Sequence, residues 1–103
     1  MTLEKYLLMC ASEECIEISK ELHKSLRFGL KDKNPEKIYA KSNEVKIALE
    51  FADLMAVLEL LKENYILDFD KIFIENDINI ENEIKNKKVK VMKYFEYANN
   101  KEG

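Results

Sequence analysis

Two glutamates stand in the middle of apolar helical stripes, and no other feature constrains the fold of this chain as tightly. At about 100° per helical residue, Leu3, Leu7, Cys10, Ile18 and Phe28 fall within roughly 40° of Glu14. Leu54, Val57 and Leu61 surround Glu50 in the same way. Glu17 and Asp53 lie at the edges of these arcs, about 60° away. Each stripe must meet another element to leave water, and it carries its carboxylates along. A buried carboxylate is costly without a partner. A lysine or arginine, a shared proton or a metal ion would each supply one. The pattern predicts two long helices, packed face to face, with acids converging between them.

The rest of the chain agrees with an all-α fold. Two Gly and one Pro in 103 residues leave few places for a helix to stop. The expected architecture is a small helical bundle of about four helices. Two long antiparallel helices carry the acidic motifs. Helix one is expected over 2–28, with Thr2 as N-cap and Gly29 as the stop. A polar connection over 30–41 centres on Asn34-Pro35. Helix two starts at Ser42 or Asn43 and runs to about Asn64. Residues 67–75 read as a short helix capped by Asp68; Ile72-Phe73-Ile74 could form a strand, but no second strand exists to pair with it. The last helix starts at Asn79 or Asn82 and reaches about Tyr97. No repeat or domain boundary is visible, so 1–103 reads as one domain. Phe51, Met55, Leu58 and Leu60 widen the apolar surface of helix two. A helix apolar on several sides must be covered on several sides, which predicts a homodimer or homotetramer.

Composition excludes several partners. A net charge of −3 gives no drive toward nucleic-acid polymers or anionic membranes. No apolar run approaches the ~20 residues that span a bilayer. The N-terminus lacks the pattern of a signal peptide. Cys10 and Cys15 fall on different sides of a helix and read as reduced thiols, so the expected location is cytoplasmic. His23 reads as a surface histidine. The run Lys85, Lys87, Lys88, Lys90 and Lys93 has Glu81, Glu83 and Glu96 nearby and reads as a solvated face or a basic rim. Tyr94, Phe95 and Tyr97 are expected in the core or an oligomer interface.

Carboxylates with no His or Cys among them suit hard cations such as Mg²⁺ or Mn²⁺. Di-iron bundles use Glu-x-x-His motifs, whereas the residue three after Glu17 is Lys20. Glu13-Glu14-x-x-Glu17 followed by Glu50-x-x-Asp53 resembles the MazG-like family of all-α nucleoside triphosphate pyrophosphohydrolases. Ser25-Leu26-Arg27-Phe28-Gly29-Leu30 and Ala52-Asp53-Leu54-Met55-Ala56-Val57 extend the resemblance over the first two thirds of the chain. The C-terminal third is similar only as a Lys-rich helix. The resemblance implies cleavage of a nucleoside triphosphate between its α and β phosphates. It implies Mg²⁺ ligation by Glu14, Glu17, Glu50 and Asp53, with Glu13 as an outer member. Glu17 or Glu13 would take a proton from the attacking water. Lys20, Lys24, Arg27 and Lys31 follow the acids along helix one and are expected to meet phosphates; solvated pairs with neighbouring acids are the competing reading. Two other functions compete: a non-catalytic helical adaptor that retains the fold, and phosphoribosyl-ATP hydrolysis.

Overall fold

The computed structural model describes residues 1–102, with the side chains of 1–100. It holds four α-helices and, among the described residues, no strand. The all-α class expected from the sequence is therefore observed. Two compact units divide the chain, Met1–Leu67 and Asp68–Gly103.

The first unit is a helical hairpin. Helix α1 spans Leu3–Phe28. Thr2 remains extended, and its Oγ1 accepts from the Lys5 N–H at 3.2 Å, satisfying one of the free donors of the first turn. At the other end Gly29 takes φ +97°, and its N–H donates to the Ser25 carbonyl at 2.8 Å. Only glycine adopts that backbone geometry at low cost, so the helix stops there. Helix α2 spans Asn43–Glu63, and Ser42 Oγ accepts from the Val45 N–H.

Three hydrogen bonds fasten the start of α2 to the chain that leaves α1. The Asn43 N–H donates to the Asp32 carbonyl, and the Glu44 N–H to the Leu30 carbonyl, both at 2.9 Å. Asn43 Nδ2 donates to the Gly29 carbonyl, also at 2.9 Å. Asn43 is buried, so these bonds replace water that its amide has lost. The two helices pack antiparallel from this end. Leu7 and Leu61 are their buried apolar side chains, with Ile18, Leu54, Val57 and Leu58 half-buried. Leu3 and Phe28, which share the arc of Glu14, lie in the terminal turns of α1 and are exposed.

Helix α2 ends without a glycine. Tyr65 takes φ +57°, its N–H donates to the Lys62 carbonyl, and the Ile66 N–H donates to the Leu61 carbonyl at 2.9 Å. This double closure satisfies two terminal carbonyls at the expense of a left-handed non-glycine residue.

The second unit holds α3, Phe69–Glu75, and α4, Ile80–Glu102. Asp68 Oδ1 caps α3 by accepting from the Lys71 N–H, and Asn79 Oδ1 accepts from the Asn82 N–H at the start of α4. Nothing in 98–102 breaks a helix, so α4 continues past Tyr97. Its residues are exposed throughout 80–100. Tyr94, Phe95 and Tyr97 are each more than half exposed, contrary to the expectation of a core position within the chain. No helix among the described residues is long and apolar enough to cross a membrane.

A side chain in the left-handed region costs about 1–2 kcal/mol. Tyr65 is 97% exposed, so little packing offsets that cost. Tyr65→Gly should raise stability by about 0.5–1 kcal/mol once the greater freedom of glycine in the unfolded chain is counted. The check is a higher urea midpoint at unchanged slope.

Candidate metal centre

Glu14 lies in the middle of α1; Glu50 and Asp53 lie one turn apart on α2. The antiparallel pairing brings them together. One carboxylate oxygen from each residue lies within 4.8 Å of the other two. Glu14 and Glu50 are half-buried and Asp53 is exposed, so the group opens to solvent at its Asp53 side. None of the three carries an ion pair among the described residues. No lysine or arginine among the described residues pairs with them; a proton or a cation is the other partner the sequence allows.

Electrostatics reflects the crowding. Burial pushes the Glu50 carboxyl above its ordinary range, and the charges of Asp53, Glu14, Glu17 and Glu21 push it further in the same direction. Glu14 Oε2 is buried with no hydrogen-bond partner. Three oxygens at this spacing fit a hard divalent cation, whose ligands at about 2.0–2.6 Å stand roughly 3–5 Å from one another. An orphaned carboxylate oxygen and an all-oxygen donor set are features of the same fit.

The other expected site residues stand around this group. Glu17 is next to it, but its Oε1 accepts from Lys20 Nζ at 3.1 Å and lies outside the converging set. Glu13 is exposed. Lys24 Nζ donates to Glu21 Oε1 at 3.2 Å. The Lys20 and Lys24 pairs are the local acid–base contacts that the competing sequence reading anticipates. Arg27 places its guanidinium 5.0 Å from the centre of the Phe28 ring, a cation–π contact about 20 Å along α1 from Glu14. Lys31 pairs with Glu44 at 2.6 Å at the connection. Cys10 is half-buried and Cys15 exposed, both as free thiols. His23 Nδ1 donates to the Ser19 carbonyl at 2.8 Å on the surface.

Sequence reasoning missed Glu21. It is the buried acid of α1, 9% exposed, and its Oε2 is enclosed with no hydrogen-bond partner. The wheel contains the signal, because seven residues return Glu21 to within about 20° of Glu14. The flanking Lys20 and Lys24 disguise it as part of a solvated charged face.

Comparison of the chain with protein families, with curated proteins and with solved structures gives no match.

The raised Glu50 carboxyl has a signed consequence. Folding favours its protonated form, so its contribution to stability is full below the unfolded pKa of about 4.3 and is lost as pH rises through the folded value. In chelator-treated protein, wild type should lose more melting temperature than Glu50→Gln between about pH 4 and pH 7. Equal losses in the two proteins would remove Glu50 from the crowded group.

Proposed function

We propose that the protein is a Mg²⁺-dependent nucleoside triphosphate pyrophosphohydrolase, converting a (d)NTP to a (d)NMP and pyrophosphate. The observation that carries this reading is the convergence of Glu14, Glu50 and Asp53 with no basic partner. The two acidic motifs and the all-α hairpin that presents them support it. A triphosphate brings about four negative charges, which three bare carboxylates would repel. A divalent cation, when bound, supplies positive charge to phosphate oxygens and acidifies a coordinated water. Mn²⁺ suits the same oxygen donors as Mg²⁺.

Glu14, Glu50 and Asp53 would hold the cation. Glu17, half-buried beside them, joins the set or takes the proton of the attacking water once Lys20 releases it. Glu13 is exposed and serves this role less well. Lys20 and Lys24 each use one ammonium proton in their acid pairs and keep donors for phosphate oxygens. Arg27 and Lys31 stand at the outer end of this arrangement.

The acting species in this proposal is a homodimer or homotetramer. Among the described residues only Leu7 and Leu61 are buried apolar side chains. Leu8, Leu22, Leu49, Phe51, Met55 and Leu60 stay exposed on α1 and α2. Exposed apolar residues on several sides of a helix call for a covering surface, and a second copy supplies it. Sedimentation at micromolar concentration should show the oligomer; a stable monomer refutes this part.

The enzymatic reading is tested with a panel of (d)NTPs, Mg²⁺ and product identification. Pyrophosphate and a monophosphate are expected. Asp53→Asn and Glu17→Gln should each lower kcat by about 100-fold or more, with helical content retained by circular dichroism. Release of orthophosphate and a diphosphate would contradict the proposed bond. A rise in melting temperature with Mg²⁺ but no turnover would make the protein a non-catalytic adaptor.

A further inference from the structure

Glu21 presents an unsolved account of charge. Its side chain leaves water almost completely, and a carboxylate so placed must have its oxygens satisfied. Lys24 satisfies one of them, Oε1. Oε2 is enclosed and has no partner. The pair with Lys24 does not explain the burial, because the lysine side chain is half exposed and could pair equally well on the surface.

The position of Glu21 supplies an explanation. It lies one turn beyond Glu17, on the face of α1 that carries Glu14. Its charge reaches Glu50 on the facing helix. Two orphaned oxygens, Glu14 Oε2 and Glu21 Oε2, therefore belong to one face of α1. A hard cation held by three protein oxygens keeps several waters, and each water has protons to donate. Acceptors just outside the ligand set orient such waters, and their loss typically weakens metal affinity 10–100-fold.

We propose that Glu21 is a further member of the cation site: its buried Oε2 accepts a hydrogen bond from a water retained by a divalent cation at Glu14, Glu50 and Asp53. This rests on the cation reading of that centre, though not on any catalytic activity. Lys24 then balances the extra carboxylate so that the hairpin folds without metal.

The test uses Mn²⁺ alone, followed by electron paramagnetic resonance, with metal-bound waters counted by ¹⁷O relaxation. Glu21→Gln should bind Mn²⁺ about 10-fold more weakly or worse, at an unchanged number of bound waters. Glu21→Asp keeps the charge but withdraws the carboxylate, and should weaken binding too; this variant also carries the test if Glu21→Gln fails to fold. Lys24→Met removes a competing positive charge and should bind as tightly as wild type or more tightly. Wild-type affinity in Glu21→Gln overturns the proposal while leaving the cation reading intact. So does equal loss of affinity in Glu21→Gln and Lys24→Met, which would mark a purely structural ion pair. A gain of one bound water in Glu21→Gln would make Glu21 a direct ligand and overturn the water-mediated role. No Mn²⁺ binding by wild type removes the inference and the cation reading together.

Discussion

Repulsion among three carboxylates pressed together by two helices is the constraint on which the first unit turns. Helix pairing buries little that could pay for it. Leu7 and Leu61 are deeply covered, but Leu8, Leu22, Leu49, Met55 and Leu60 each keep more than 40% of their surface in water. A core of that size leaves little margin against charges that disfavour one another. Whatever neutralises the acids contributes directly to the stability of the fold. A ligand present at 100 times its Kd adds about 2.7 kcal/mol, a large share of the total for a small domain.

The arrangement also sorts the charged residues of α1 by what they touch. Glu17 and Glu21 lean on lysines of their own helix, three residues on. Glu14 leans on nothing and meets acids of α2 instead. Two neutral pairs follow an unneutralised centre along α1, which concentrates negative potential at one place on the hairpin.

Local chemistry made much of this legible in the sequence. Thr2, Ser42, Asp68 and Asn79 cap helices because a short side-chain oxygen satisfies a free N–H, and that interaction spans only three residues. Gly29 stops α1 through its own backbone freedom. The meeting of Glu14 with Glu50 and Asp53 followed from periodicity, since residues at the centre of an apolar arc must point at the partner helix. Residues at the edge of an arc were harder. Asp53 and Glu17 have the same angular offset, yet one joins the acids and the other turns to Lys20, a choice made by rotamers that no wheel contains. Glu21 was hidden by its lysine neighbours. The ends of α2 and α3 stand where the sequence placed them, but the left-handed backbone just beyond, at Tyr65 and Asp77, carried no glycine to announce it.

The three bonds that fasten Asn43 and Glu44 to Gly29, Leu30 and Asp32 have a consequence for how this hairpin can change. They close the helix pair below the connection, so the register of α1 against α2 is set before residues 33–41 are reached. That segment is a free arch: Ile38 and Tyr39 stand in solvent, and its internal turns bond only to themselves. Its length and composition can drift, or accept an insert, without moving Glu14 relative to Glu50.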